Sequence, residues 1–121
     1  MLSWAACSYA FTVQIEGLDI KSIRNRDVII VEDIIDTGHT MQKLVPILQE
    51  EASSVHVASL LEKKTDRSCG FQGDYIGFKI PDAFVVGYNL DYDGAFRDMA
   101  HICIINEAGI NNFRSFEESL T

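Results

Sequence analysis

Four β-branched apolar residues in a row, Val28-Ile29-Ile30-Val31, run straight into two carboxylates, Glu32 and Asp33. An apolar run without alternation suits a strand buried on both faces, as in a parallel sheet. After Ile34 and Ile35 come a third carboxylate, Asp36, and the small turn Thr37-Gly38-His39-Thr40. Helical spacing then begins, with Met41, Leu44, Val45 and Leu48 on one side and Gln42, Lys43 and Gln49 on the other. A buried strand, an acidic tip, a glycine turn and a helix start predict a site at the carboxyl end of a strand in an open α/β sheet. Pro46 conflicts with that helix. It removes a backbone hydrogen bond and clashes one turn back, at roughly 3 kcal/mol, so a kink or an early helix end is expected.

The rest of the chain repeats the pattern. Leu18–Asp27 is a polar segment with Leu18, Ile20 and Ile23 facing inward, and Asn25-Arg26-Asp27 turns into the strand. Val55–Leu61 reads as a second strand ending in Glu62, Lys63 and Lys64. A loop over Asp66–Gly73 leads to a short strand, Asp74–Ile80, closed by Pro81. Phe84–Tyr88 reads as a further buried strand followed by Asn89-Leu90-Asp91, Gly94–Met99 as a polar connection carrying Arg97, Ile102–Ile105 as a last strand, and Asn106–Thr121 as a fraying tail. Strands alternating with helix or loop indicate α/β. In a parallel sheet Glu32-Asp33, Lys63 and Asp91 would share one rim, where ligands bind.

With 121 residues the chain suits one small domain. A 47% hydrophobic and 23% charged composition is that of a globular protein. The net charge of −8 argues against nucleic-acid binding, and makes an anionic substrate awkward unless metal ions or local donors mediate. The three cysteines, Cys7, Cys69 and Cys103, lack zinc-ligand spacing and read as reduced thiols of a cytoplasmic protein. No apolar stretch has membrane-spanning length, and the opening MLSWAACSYAF lacks the basic start of a signal peptide.

Two readings of the turn compete. In one, Gly38 lets a ligand approach the backbone, Thr37 and Thr40 offer hydroxyls, and the first helical N–H groups complete an anion site. In the other, Thr37 or Asp36 simply caps the helix. Glu32 and Asp33, on opposite sides of the strand end, suit ribose hydroxyls or a divalent cation approached through water, or merely close the strand with solvated charge. Asp36 sits where the helix dipole favours an ionised general base. Lys63, Arg97 and Phe84 have ordinary surface or core explanations. His39, His56 and His101 read as structural, and Cys103 as buried and inert.

The residues VIIVEDIIDTGHT resemble the phosphoribosyl-diphosphate signature of type I phosphoribosyltransferases. VASLLEKKTDRS, GDYIGFKIPDAFVVGYNLDY and FRDMAHICIINE extend the resemblance, from about Gly17 to about Phe113, to the hypoxanthine-guanine branch. The resemblance implies a partial phosphoribosyltransferase-type α/β sheet, mostly parallel, with flanking helices. It implies transfer of 5-phosphoribosyl from phosphoribosyl diphosphate to N9 of hypoxanthine or guanine, giving IMP or GMP and pyrophosphate. By the same resemblance Glu32 and Asp33 hold the ribose hydroxyls and Asp36 handles a proton at purine N7. Asp36, Thr37, Gly38, His39 and Thr40, preceded by Ile34 and Ile35, cradle the 5′-phosphate. Lys63 donates to the purine 6-oxo group, Phe84 stacks on the ring between Ala83 and Val85, and Val85 meets the purine edge through its backbone. Asp91 lies near the guanine 2-amino position and a magnesium ion, with Glu32 and Asp33 as further candidate metal contacts, and Arg97 meets pyrophosphate. A cytoplasmic homo-oligomer without membrane or nucleic-acid partners is implied as well.

Members of that family carry a longer N-terminal region, with more strands, a pyrophosphate loop and a closing loop bearing a Ser-Tyr pair. Ser8-Tyr9 echoes that pair in unmatched surroundings. The expected division is therefore a divergent segment 1–16, a phosphoribosyltransferase part 17–113 and a tail 114–121, with activity impaired by what is missing. The alternative is a non-catalytic nucleotide-binding or subunit-interaction module. The Asp36-Thr37-Gly38 triplet also marks aspartic proteases, but helical spacing after Gly38 and the lack of a glycine-rich flap count against that reading.

Overall fold

The structure is a computed structural model, and it describes residues 15–111. The chain divides into two compact units, one ending at Pro81 and the other beginning at Asp82.

Among the described residues the first unit is a three-stranded sheet in the order β1-β2-β3 with one α-helix and a short 3-10 helix, Ile20–Ile23. Strand β1 is Asp27–Ile35, helix α1 is His39–Gln49, β2 is Ser54–Lys64 and β3 is Tyr75–Pro81. Both pairings are parallel, with Val28 opposite Val55 and Ile30 opposite Val57, then Leu61 opposite Phe78. Along β2, Val55, Val57, Ser59 and Leu61 are buried while His56 is exposed, the period-two signature of a strand with one face in the core. Helix α1 lays Met41, Leu44 and Leu48 on Ile35, Val55 and Val57, with Val28, Ile30, Val45, Phe71 and Ile76 around them. The i, i+3, i+7 spacing of those three residues puts them on one stripe. Truncating Leu48, which is 4% exposed, to alanine would cost about 2–5 kcal/mol. The entry to β3 is pinned by Asp74: its carboxylate accepts the Val57 N–H at 2.7 Å and its own N–H donates to the Val57 carbonyl at 2.9 Å.

The second unit is built on a two-stranded antiparallel pair, β4 (Val85–Val86) with β5 (Cys103–Ile104). Between them Gly87, Tyr88 and Asn89 all have positive φ, and a tight bend closes with Gly87 bridged to Leu90. Val86 and Leu90 are buried there. Residues 107–111 form a helical turn.

The α/β class with a parallel sheet stands as expected, and several local expectations do not. Strand β1 is not buried on both faces: Ile29 and Val31 are 63% and 80% exposed. Among the described strands it lies at the edge, and helix α1 covers the face of Val28 and Ile30. Both long strands run past their predicted ends, because ladder pairing continues from Glu32 opposite Ser59 to Ile35 opposite Glu62, and from Lys63 opposite Ile80 to Lys64 opposite Pro81. Helix α1 runs through Pro46 without ending. Pro46 and Gln42, whose carbonyl loses its partner, are both exposed residues, a position where solvation offsets the loss of a helical bond. Leu18 is exposed rather than inward-facing. The predicted strand Phe84–Tyr88 shrinks to Val85–Val86, since positive φ from Gly87 to Asn89 takes the chain out of extended backbone. β4 pairs with β5 and not with the parallel sheet, so the single rim expected for Glu32-Asp33, Lys63 and Asp91 holds in the described sheets only for the first two groups. The predicted tail begins with the helical residues 107–111. Segment 1–16 falls almost wholly outside the described residues, as do Ser8-Tyr9, Cys7 and the tail 114–121.

Candidate functional site

Strand β1 delivers Glu32 and Asp33 inside the strand on alternate sides, Glu32 half-buried and Asp33 exposed. Burial, reinforced by the neighbouring Asp33 charge, pushes the Glu32 carboxyl above its ordinary range. Three residues later Asp36 opens the turn into α1.

That turn has a specific chemistry. Gly38 is the helix N-cap, with φ of +84° and no side-chain cap bond. The first intrahelical bond is from the Gln42 N–H to the Gly38 carbonyl, at 2.9 Å. The preceding N–H groups of the first turn therefore point out of the helix with no side chain capping them and no acidic residue beside them. The N-cap residue is thus Gly38 and not Thr37 or Asp36. The Thr37 hydroxyl lies 2.9 Å from His39 Nδ1. The Thr37 carbonyl accepts the Cys69 N–H at 2.9 Å, which ties the β2–β3 loop to the turn. A Cβ at position 38 would lie 2.9 Å from Phe71 Cβ and 3.2 Å from Cys69 Sγ, so glycine is required by space as well as by φ.

Asp36 meets two cations. Its Oδ2 accepts from Lys63 Nζ at 3.2 Å, and the Lys63 side chain is only 7% exposed. Its Oδ1 is 3.6 Å from Arg67 Nη2 and, though buried, accepts no hydrogen bond from the described residues. A pocket of about 220 Å³ opens beside this group, lined among others by Ile35, Asp36, Glu62, Lys63, Phe71 and Lys79. Glu62 pairs with Lys79 at 3.1 Å, while its buried Oε2 has no hydrogen-bond partner among the described residues.

In the second unit Asp91 and Arg97 pair with each other. Arg97 Nη2 is 2.9 Å from Asp91 Oδ1, and Arg97 Nη1 donates to the Asn89 carbonyl at 2.7 Å. Asp91 Oδ2 accepts the Gly94 N–H at 2.8 Å. Phe84 is half-exposed, its ring edge-on to Tyr92 at 5.6 Å.

The sequence model of the phosphoribosyl transferase domain matches residues 8–93. The chain belongs to the phosphoribosyl transferase domain family. Among relatives of this phosphoribosyl transferase domain, the hypoxanthine-guanine phosphoribosyltransferase of Canis lupus familiaris is 50% identical over 102 residues, covering 84% of the chain and 47% of the relative. The human enzyme of that name is 49% identical over 102 residues, with the same coverage of 84% and 47%. The solved hypoxanthine-guanine phosphoribosyltransferase of Schistosoma mansoni in complex with IMP superposes with a TM-score of 0.68 at 49% identity, covering 74% of this chain and 47% of that one. The chain thus spans about half the length of the relatives it matches.

Within this phosphoribosyl transferase domain the first unit brings together Asp36, Thr37, Gly38, His39 and Lys63, and Ile35 is buried. The second unit brings together Asp91 and Arg97. Arg67, Glu62 and the Cys69–Phe71 buttress of Gly38 were not anticipated. A loop reading of Asp66–Gly73 gave no reason for Arg67 to fold back, although a basic residue four positions beyond Lys63 was a usable signal. Glu62 was read as strand-end charge, and only the added ladder pair with Lys79 buries it. The thiols of Cys69 and Cys103 are free and half-buried, which corrects the fully buried Cys103 expected. Among the described residues no helix is long and apolar enough to cross a membrane.

Proposed function

We propose that the chain carries the phosphate-turn and purine-recognising part of a hypoxanthine-guanine phosphoribosyltransferase, a glycosyltransferase of purine salvage. The supporting observation is the uncapped Gly38 turn placed directly against the Asp36–Lys63 pair, in a chain about half identical to enzymes of that name. The turn would receive the 5′-phosphate of phosphoribosyl diphosphate on its outward N–H groups and the Thr37 and Thr40 hydroxyls. Glu32 and Asp33 would accept from the ribose hydroxyls. Lys63 would donate to the 6-oxo group of hypoxanthine or guanine, and a 6-amino group offers it no acceptor. As N9 bonds to C1′, the bond from C1′ to the diphosphate oxygen breaks and pyrophosphate leaves with the electron pair. The N7 proton passes to the Asp36 carboxylate. In the second unit Phe84, between Ala83 and Val85, offers an exposed ring for the purine, and Arg97 offers a guanidinium for pyrophosphate.

Magnesium is proposed as cofactor. No group of three or more His, Cys, Asp or Glu among the described residues is arranged to hold a metal ion. Isolated carboxylates still fit magnesium, which is usually held by one or two of them plus substrate phosphates. Asp91, with Glu32 and Asp33 near the ribose, would provide such contacts, and the ion would neutralise the departing diphosphate. A cytoplasmic homo-oligomer, with residues 17–113 as the phosphoribosyltransferase part, completes the proposal. The test is purified chain with hypoxanthine, phosphoribosyl diphosphate and magnesium, followed by calorimetry with GMP. IMP formation that Asp36→Asn slows, or GMP binding, is expected. A chain that forms no IMP and binds no GMP would refute the reading.

A further inference from the structure

The Asp36 carboxylate is held unequally by its two neighbours. Lys63 Nζ is hydrogen-bonded to Oδ2 at 3.2 Å. Arg67 Nη2 stands 3.6 Å from Oδ1, within ion-pair range but beyond a hydrogen bond, so this buried oxygen keeps its lone pairs for another donor. The two oxygens are thus differentiated: one is bonded, and the other is attended by a cation without being occupied. Arg67 is also anchored to the structure that carries Asp36. Its N–H donates to Thr65 Oγ1 at 3.2 Å, and two residues on, the Cys69 N–H bonds the Thr37 carbonyl at 2.9 Å.

We propose, on the functional reading above, that Arg67 is a positioning residue for Asp36. A purine that draws the Lys63 ammonium onto its oxo group takes it away from Oδ2. Arg67 then holds the carboxylate, keeping it charged and in place to take the N7 proton. A guanidinium suits this part because it stays charged at every relevant pH and offers a fork of donors whose distance can adjust. Lysine at 67 keeps the charge and should keep much of the effect, whereas glutamine keeps only the polarity.

The test is a double-mutant cycle of Arg67→Gln and Asp36→Asn on the full chain, with Arg67→Lys as the conservative variant. Two readouts are taken: the thermal midpoint without ligand, and hypoxanthine affinity by calorimetry. Arg67→Gln is expected to lower the midpoint more in the wild-type background than beside Asp36→Asn. It should weaken hypoxanthine binding several-fold in the wild type, with no further loss beside Asp36→Asn, and Arg67→Lys should recover most of the affinity. Equal effects of Arg67→Gln in both backgrounds, or unchanged hypoxanthine affinity, would overturn the proposal. If the wild type binds neither hypoxanthine nor IMP, the functional reading fails, and the midpoint cycle alone decides whether Arg67 acts on Asp36.

Discussion

Replacing Gly38 by alanine strains the phosphate turn in two separable ways. The residue sits at φ +84°, where an L side chain meets its own backbone, at about 1–2 kcal/mol. The added Cβ would also press on Phe71 Cβ at 2.9 Å and Cys69 Sγ at 3.2 Å, an overpacking usually worth about 1–3 kcal/mol. The sum is about 2–5 kcal/mol, a large part of a small domain's stability. The Phe71 contact is with its Cβ, which every residue but glycine carries, so Phe71→Ala cannot relieve it. Cys69→Ala removes the Sγ contact and should restore only a minor part. The assay is urea unfolding of wild type, Gly38→Ala and the Gly38→Ala/Cys69→Ala double variant, compared at constant m-value. A Gly38→Ala variant within about 0.5 kcal/mol of wild type would show that neither the strain nor the close approach is real, because ordinary surface changes fall in that range.

Three further outcomes are expected. Lys63→Met strips the bonded oxygen of Asp36 of its donor and should lower unfolding stability by about 2–3 kcal/mol, below the full range for a buried pair because Arg67 remains near; calorimetric unfolding would show this, and a neutral result would mean the pair is solvated. Glu32→Gln should stabilise the fold above the raised Glu32 pKa, where the ionised carboxylate is penalised, with the gap closing as pH falls toward the unfolded glutamate value of about 4.3; thermal midpoints across pH read it. Asp74 is held below the usual carboxylate range, chiefly by the Val57 N–H, so its contribution is present above the unfolded aspartate pKa of about 3.9 and lost as pH falls through the lower folded value. Asp74→Asn should therefore lower the midpoint at neutral pH, and the difference should shrink in strong acid.

Much of the first unit was legible in its residues. Met41, Leu44 and Leu48 had a period that only a helix face explains, and the glycine turn after three carboxylates marked the site. The limits of the strands were not legible, because charge at Glu32-Asp33 and Glu62-Lys63-Lys64 looks like a strand end, while ladder pairing depends on partners far along the chain. The burial of Ile29 and Val31 was misjudged for a related reason. An apolar run reports fitness for a buried sheet, whereas actual burial depends on what covers each face. Pro46 misled because the helix penalty is largest in a buried helix face, and Gln42 and Pro46 are both exposed. The pairing of Arg97 with Asp91 lay across the bend that bridges Tyr92 to Ala95, with positive φ at Asp93, Gly94 and Phe96, and no local rule pointed the two side chains at each other.

The most direct test of a purine site at Asp36 and Lys63 is a calorimetric comparison of IMP and AMP on the same chain. IMP should bind, and AMP, whose 6-amino group meets the Lys63 ammonium with no acceptor, should bind at least about tenfold more weakly. Lys63→Gln should erase most of that difference. Equal affinity for the two nucleotides, or discrimination that survives the loss of Lys63, would contradict it.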